Sequence, residues 1–378
     1  MSDSRPLEWS RKRDSDPRSP AGYRLRPQLH RRVPVNASPL KLENVLTCPA
    51  CGDSARITIF DELTDTLFGT VGTWTLKRCQ GCFAAYLDPR LTETGIGEAY
   101  RHYYTHEGQA VQADPGGATP EFPSAKTKLK NGYLAWRYGY SLAPAWRVAG
   151  PCVPIFFPRH RVAFDTTVRH LRLPRPGARL LDVGCGGGEF LVTARSLGWD
   201  VTGLEVDPVA AAKCRDRGFE VISVPLAEAG LPDSSYDAIT LNHVLEHLHD
   251  PRRALDLVLK ALRPGGTVWI ATPNLDSPLR RALGRTWRGL EPPRHLVLFC
   301  KRALRTIVRG VGFRDIHWRT AYPLTRWMYE ASRAGQASGS APAIGSLELK
   351  LFSLGTFASQ HCSEQLVLTA RRPAEARA

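Results

Sequence analysis

Residues 180–191 read LLDVGCGGGEFL, and this stretch decides the fold. It predicts a short apolar strand, a glycine-rich turn after Val183, and a helix that begins at Glu189. Outward from it, apolar strands are expected at 200–205, 220–224, 236–241, 267–272, 313–319 and 365–370, with helices beginning at Pro208, Asp250–Pro251 and Lys301. Near-continuous apolar strands that alternate with helices predict an α/β fold with a mostly parallel sheet covered on both faces.

The glycine turn and the acid that follows it predict a nucleoside site. Ligands of such sheets bind beyond the carboxyl ends of the strands, and Glu205 ends the next strand, where a carboxylate can accept ribose hydroxyls. A dinucleotide fingerprint would need glycine at position 189, but Glu189 stands there and would repel a pyrophosphate. Asp182 and Glu189 flank the turn with negative charge, which favours the cationic S-adenosylmethionine (SAM) over a dinucleotide and makes a dehydrogenase the weaker alternative.

Five stretches carry a resemblance to a known family: LLDVGCGGGEFL, VTGLEVDP, LPDSSYDAITLNHVLEHLHDP, LKALRPGGTVWIATPN and EPPRHLVLF. Together they resemble the class I SAM-dependent methyltransferases, above all the bacterial group with an N-terminal CxxC…CxxC module. The resemblance covers residues 45–105, 178–320 and 365–371. It implies a Rossmann-like seven-stranded methyltransferase sheet whose last strand is reversed, with a small zinc-ribbon-like module before it.

The resemblance also implies which residues hold the cofactor. Asp182, Gly184, Gly186 and Gly188 would line the methionine end, and Glu205 would hold the ribose with Val206 beside the adenine. Leu226 and Ala227 would flank the adenine, although relatives often carry an acid at the position of Leu226, which Glu228 could replace. Asn242 and His243 would face the methyl group.

Histidines near the expected methyl group are the candidate bases, because the free imidazole pKa of about 6.5 suits proton transfer near neutrality. His243, His247 and His295 are the predicted catalytic residues, and Glu246 is a further candidate. Each could instead have a structural role. Arg294 and Trp287 could grip or stack on a substrate, with packing the alternative for Trp287, and Cys185 is expected to fill space rather than to react.

Four cysteines form the pattern C-x₂-C…C-x₂-C at Cys48, Cys51, Cys79 and Cys82. Four thiolates satisfy tetrahedral zinc and leave no position for water, so a structural Zn²⁺ is predicted, with free thiols as the alternative. The gap between the pairs exceeds the common spacing. Strands around 56–60 and 73–77, joined through Gly69 and Gly72, would account for it as a hairpin.

The 378 residues divide into four predicted parts: a disordered basic tail (1–44), the zinc module (45–92), a helical linker or lid (93–175) and the methyltransferase domain (176–373). The net charge of +15 favours anionic partners, but no RNA-binding motif accompanies it. The apolar run 142–157 is expected to be buried or to act as a lid, with contact at a membrane interface as the alternative. No signal peptide or membrane span is recognised, so a cytoplasmic protein is expected.

The leading functional hypothesis is methyl transfer to a small-molecule or glycan acceptor by in-line displacement. An RNA methyltransferase that uses the zinc module and the basic tail for binding is a second hypothesis. A zinc-ribbon binding protein with an inactive methyltransferase fold is a third, and the intact glycine turn and Glu205 argue against it. The sequence indicates neither the acceptor atom nor the oligomeric state.

Overall fold

A computed structural model describes residues 40–100, 124–334 and 342–374. Most of the predicted basic tail, and residues 101–123 of the predicted linker, lie outside the described residues. Among the described residues, no helix combines the length and the apolar character needed to cross a bilayer.

The N-terminal module is built on a β-hairpin. Its strands are β1 (Leu42–Glu43), β2 (Arg56–Leu63), β3 (Trp74–Cys79), β4 (Ala85–Leu87) and β5 (Arg90–Leu91). Strands β2 and β3 pair antiparallel, as the sequence predicts, and β3 pairs antiparallel with β4. Trp74, Leu76 and Tyr86 are fully buried, so the small sheet contributes apolar side chains to the core.

A helical segment connects this module to the main sheet. It comprises α1 (Ala125–Tyr138), a 3-10 stretch (Arg147–Cys152), α2 (Val153–Phe156) and α3 (Pro158–Thr167). Ser124 caps α1 by accepting a hydrogen bond from the backbone N–H of Thr127. The hydroxyls of Tyr133 and Tyr138 both donate to Oδ1 of the buried Asp165 at 2.7 Å, which fixes α1 against α3.

The main sheet has seven strands. The elements from here to the C-terminus are, in chain order, β6 (Arg179–Val183), α4 (Glu189–Ser196), β7 (Asp200–Leu204), α5 (Pro208–Asp216), β8 (Glu220–Ile222), β9 (Tyr236–Asn242), α6 (Pro251–Ala261), β10 (Leu262–Pro273), α7 (Pro278–Leu283), β11 (Val297–Leu298), α8 (Lys301–Val311), β12 (Arg314–Trp318), α9 (Thr325–Ala334), α10 (Ser346–Ala358) and β13 (Gln365–Arg371).

The strand order of this sheet is β12-β13-β10-β9-β6-β7-β8. Strand β13 runs antiparallel to β10 and β12, whereas the other pairings are parallel, so the expected reversed last strand is confirmed. The chain winds outward from β6 to β8 and then returns to place β9 on the other side of β6. That reversal opens a crevice at the carboxyl ends of β6 and β9, where ligands of such sheets bind.

The N-terminal module and the main sheet are joined through β11. This strand pairs antiparallel with β4, and Leu87 N–H donates to the carbonyl of Leu296 at 3.1 Å. Leu76 and Tyr86 belong to the same apolar cluster as Leu298 and Phe299. The segment that follows β10 is therefore held in place by the cysteine-bearing module.

Candidate active site and metal centre

The turn after β6 lines the crevice with glycine backbone, which carries no side chains. Gly184 has φ +68°, and a Cβ there would lie 2.5 Å from Cγ2 of Val244. Gly188 has φ +85°, and a Cβ there would lie 2.8 Å from Sγ of Cys214. Only glycine fits both positions, because side chains disfavour these φ values and would also collide with their neighbours.

Glu205, at the end of β7, is held by two backbone donors. Its Oε2 accepts from Gly186 N–H and its Oε1 from Asp207 N–H, each at 2.9 Å. Burial raises the pKa of Glu205 despite these two hydrogen bonds. Each carboxylate oxygen retains acceptor capacity, which two vicinal hydroxyls could use.

Each of the two acids that flank the turn forms an ion pair with an arginine, and neither ion pair is predicted by the sequence. Arg169 Nη1 donates to Oδ1 of Asp182 and, at 2.7 Å, to Oγ1 of Thr240. Glu189 pairs with Arg217 at 3.0 Å. The expected excess of negative charge around the turn is thus largely compensated. Oδ2 of Asp182, however, is buried and has no hydrogen-bond partner among the described residues, so one carboxylate oxygen is left for a donor.

The remaining predicted cofactor residues lie at the same edge of the sheet. Val206 follows β7 and is mostly exposed, while Leu226 and Ala227 follow β8, with Leu226 buried and Ala227 exposed. Asn242 ends β9 and is exposed. Together with Gly186, they outline one crevice across the ends of β6 to β9. Cys185 beneath it is buried, and burial raises the pKa of its thiol, so it is suited to fill space rather than to react.

His243, directly after β9, lies between two oxygen acceptors. Its Nδ1 is 3.1 Å from Oε1 of Glu246, and its Nε2 is 3.1 Å from Oε1 of Gln365. Burial would lower the pKa of His243, but the contacts with Glu246 and Gln365 raise it. Burial would likewise raise the pKa of Glu246, but His243 and the neighbouring imidazoles lower it to about 2. Each partner thus stabilises the charged form of the other.

His247 and His295 meet edge to face, with ring centroids 4.7 Å apart. Nδ1 of His247 lies 3.0 Å from the hydroxyl of Tyr100 and 3.1 Å from the carbonyl of Arg294. The ligand atoms of Glu246, His247 and His295 all lie within 4.8 Å of one another. The structure therefore brings together the three histidines predicted from sequence.

His295 is the one of these histidines that burial keeps uncharged. Its Nδ1 lies 2.8 Å from the carbonyl of Gly289, which assigns the ring proton to Nδ1 and leaves a lone pair on Nε2. Burial lowers the pKa of His295 to about 4. Nε2 lies 3.7 Å from Oε2 of Glu291. An unprotonated imidazole nitrogen is thus available at neutral pH.

Arg294 does not lie where a substrate could contact it. It is fully buried and donates to both oxygens of Asp65 at 2.8 Å, while its Nε donates to Oε1 of Glu291 at 3.0 Å. The expectation that Arg294 grips a substrate is therefore wrong. Trp287 is also buried, and its Nε1 donates to Oε2 of Glu364 at 3.2 Å, in keeping with the packing alternative.

A cavity of about 540 Å³ adjoins this cluster. The loop after β2 forms one wall, the segment from Arg281 to Pro292 a second, and Ala331 and Ser332 of α9 a third. Glu291 lines the cavity and also faces His295, so one carboxylate separates the space from the imidazole. The volume of the cavity lies within the range found for small-molecule binding sites.

The four predicted metal ligands converge at the base of the hairpin. Sγ of Cys48 lies 3.6 Å from Sγ of Cys82, and Sγ of Cys51 lies 3.5 Å from Sγ of Cys79. All four sulfur atoms lie within 4.8 Å of one another, and three of the cysteines are buried. Zn–S bonds of about 2.3 Å in a tetrahedron place sulfur atoms about 3.8 Å apart, so the four thiols fit that ion.

Several residues of the site were missed by sequence reasoning. Asp65 and Arg169 come from segments outside the motifs, and Gln365 was expected only as the first residue of the closing strand. No local pattern marks any of the three as a site residue. Glu291 stands in the EPPRHLVLF stretch, four positions before His295, and that spacing was a usable signal.

Comparisons with known proteins show what the main-sheet part of the chain resembles. A family model described as "Methyltransferase domain" matches residues 158–317. The ubiquinone biosynthesis O-methyltransferase of Xanthomonas campestris pv. campestris (strain B100) is 34% identical over 137 residues, which cover 34% of this chain and 56% of that protein. The protein of the same name from Xylella fastidiosa (strain 9a5c) is 35% identical over 113 residues, 27% of this chain and 45% of that one.

The chain thus spans about half the length of these curated relatives. A crystal structure of an S-adenosylmethionine-dependent methyltransferase from Mesorhizobium loti aligns with 56% of this chain and 98% of that one, at 19% identity and a TM-score of 0.40, too low to support a conclusion. Residues 158–317 of the chain therefore form a methyltransferase domain, which the family model shows and the similarity to the O-methyltransferases supports.

Proposed function

We propose that this protein transfers the methyl group of SAM to a hydroxyl of a small-molecule acceptor, sugars included. The observation that carries the proposal is the meeting of two groups of residues at one edge of the sheet. The glycine turn with Glu205 forms one group, and the histidines around Glu246 form the other. The names of the O-methyltransferase relatives favour an oxygen acceptor.

The crevice fits SAM in three respects. Gly184 and Gly188 leave room for close approach to the backbone. Oδ2 of Asp182 is a buried acceptor that a donor such as an ammonium group could satisfy. Glu205 is fixed by two backbone N–H groups in an orientation suited to ribose hydroxyls. When bound, SAM supplies an activated methyl group, and the residues of this chain position the acceptor and receive its proton.

In this proposal His295 is the general base. Its Nε2 lone pair accepts the acceptor's proton as the oxygen attacks, and the Gly289 carbonyl holds the ring in the required tautomer. Glu291, at 3.7 Å, stabilises the imidazolium that forms. His243 and Glu246, which are hydrogen-bonded to each other, orient the loop after β9. The acceptor would lie in the cavity that Glu291 lines, with its hydroxyl group reaching past Glu291 to Nε2 of His295.

We further propose that Cys48, Cys51, Cys79 and Cys82 hold a structural Zn²⁺. A closed four-thiolate site leaves no open position, so the ion's task is to shape the hairpin that packs against the segment carrying His295.

The experiment measures SAM binding by calorimetry and methyl transfer from tritiated SAM to small-molecule, sugar, lipid and RNA fractions. Wild type should bind SAM and label a small-molecule or sugar fraction, and Glu205→Ala should weaken SAM binding at least about tenfold. Asp216→Ala, which alters an exposed acid of α5 that belongs to neither group, is the matched control. Saturable binding with label found only in RNA would overturn the acceptor class, and absence of SAM binding would overturn the function as a whole.

A further inference from the structure

One surface of the helical segment exposes large apolar side chains. Val148 is 93% exposed, Ile155 73% and Phe156 70%, with Trp146 and Phe157 close to half exposed. We call these five residues the apolar cap. Isolated exposed apolar residues are ordinary on protein surfaces, but five within a span of twelve residues form a patch that calls for a partner. Residues 142–157 were expected to be buried or to act as a lid, and burial is thus wrong for these side chains.

The cap is continuous with α1. A Cβ on Gly150 would lie 3.1 Å from Cβ of Trp136, a half-exposed residue of α1, so α1 packs directly against the 3-10 stretch. Nζ of Lys128 lies 5.9 Å from the centre of the Trp146 ring. Phe157 contacts His160 edge to face at 5.9 Å. The surface therefore combines exposed aromatic rings with cationic and titratable groups beside them.

Up to Phe164, every residue of this segment with a permanent charge is basic. Between residues 124 and 164 the chain has no aspartate or glutamate, and it has seven lysines and arginines: Lys126, Lys128, Lys130, Arg137, Arg147, Arg159 and Arg161. Lys126, Arg147 and Arg159 are exposed. These seven cations lie in the part of the chain that carries the apolar cap. A partner complementary to this part would have a surface that is both apolar and negatively charged.

We propose that the apolar cap and its basic neighbours bind the surface of an anionic lipid bilayer, a property that goes beyond methyl transfer. Ile155, Phe156 and Val148 would enter the boundary between headgroups and acyl chains, with Trp146 and Trp136 at headgroup level, where tryptophan is enriched. The lysines and arginines would contact lipid phosphates.

Two other occupants fit less well. A second copy of the chain would bring the exposed Lys126, Arg147 and Arg159 toward the same cations of its partner, and like charges facing each other oppose association. A single-stranded nucleic acid would use aromatic rings and cations, but Val148 and Ile155 offer bases no stacking surface. The bilayer is the partner that uses the aliphatic, aromatic and basic side chains together.

The test is cosedimentation of the full chain with vesicles of phosphatidylcholine alone or with a quarter phosphatidylglycerol, at low and at high salt. Wild type should bind the anionic vesicles at low salt and lose most of that binding at high salt. Phe156→Asp and Ile155→Asp should each lower the partition coefficient about tenfold, because each removes an inserted apolar side chain and adds a repelled charge.

Leu351→Asp is the matched control. Leu351 is also an exposed apolar residue, but α10 carries one lysine and one glutamate, so its charges balance. It should leave vesicle binding within twofold of wild type, and calorimetric SAM binding should be unchanged in all three variants. The proposal is overturned if wild type does not bind anionic vesicles, if Leu351→Asp weakens binding as much as Phe156→Asp, or if Phe156→Asp instead dissociates a dimer seen by sedimentation velocity.

Discussion

Asp65 and Arg294 form a bidentate ion pair, with both contacts at 2.8 Å and both side chains fully buried. The two residues are 229 positions apart in sequence and belong to different parts of the fold. Asp65 lies in the loop between β2 and β3, and Arg294 directly precedes His295. Backbone N–H groups of Leu67, Phe68 and Thr70 also donate to Asp65. The hairpin loop and the histidine segment are thus fixed to each other through one carboxylate.

The first prediction concerns this ion pair. Asp65→Asn should lower the free energy of unfolding by about 3 kcal/mol, because it leaves the buried Arg294 without one of its two anions. Urea denaturation measures the loss. Asp61→Asn is the control: Asp61 is exposed and pairs with the exposed Arg285 at 3.6 Å, so its removal should cost less than about 1 kcal/mol. Equal losses in the two variants would contradict the structural role given to Asp65.

The main sheet was largely predictable because its evidence is local. A few neighbouring residues are enough to recognise an apolar strand, the helix start at Asp250–Pro251, or a glycine that needs positive φ. The ends of β6, β7 and β9 then lie together as a consequence of topology, which brings Asp182, Glu205 and Asn242 to one edge.

The supporting contacts were not predictable, since they join segments that are distant in sequence. Nothing beside Asp65 marks it as the partner of Arg294, and nothing in the sequence marks Arg169 as the partner of Asp182. For the same reason, the negative charge of Asp182 and Glu189 is largely compensated, because packing brings Arg169 and Arg217 to them from distant positions in sequence. The exposure of the apolar cap was not predictable either, because the sequence of an apolar segment does not indicate whether the segment is buried or exposed.

The second prediction concerns Glu364, a buried carboxyl group that accepts hydrogen bonds from Ser277 and Trp287 at one oxygen. Burial raises the pKa of Glu364 from 4.5 to about 7. The pKa of Glu364 is higher in the folded state than in the unfolded state, so protonation of Glu364 stabilises the fold. This contribution is fully present below pH 4.5. That contribution, on the order of 3 kcal/mol, is lost as the pH rises to about 7.

Glu364→Gln keeps the shape of the group and removes its titration. The unfolding free energy of wild type should therefore fall relative to that of the variant between pH 4.5 and pH 7, and the difference should be constant above pH 8. Urea midpoints at four pH values measure this. Glu330→Gln on the exposed face of α9 should run parallel to wild type throughout. A pH-independent difference between Glu364→Gln and wild type would refute the raised pKa.

The third prediction concerns the base. His295→Asn should lower kcat by about 10²- to 10⁴-fold with little change in SAM affinity, because the general base acts on the acceptor and not on the cofactor. Since the pKa of His295 is lowered to about 4, protonation of this residue should not limit activity above about pH 5. The control is His317→Asn, a change in an exposed histidine of β12. If His295→Asn retained wild-type kcat, the base would have to be another group.

The last prediction concerns the metal. The purified protein should contain one Zn²⁺ per chain, and Cys79→Ser should abolish it, because three thiolates and a hydroxyl form a poor tetrahedral site. Loss of zinc should also lower kcat. The four sulfur atoms fix the base of β2 and β3, β3 pairs with β4, and β4 pairs with β11, which begins two residues after His295. Cys152→Ser is the matched control, since Cys152 is exposed and lies outside the cluster. It should keep both zinc and activity.

SAM binding distinguishes the two roles of the fold. The crevice at β6 and β7 does not include the hairpin, so zinc-free protein should still bind SAM within about threefold of wild type. Zinc-free protein that retained full kcat would show that the hairpin does not position His295.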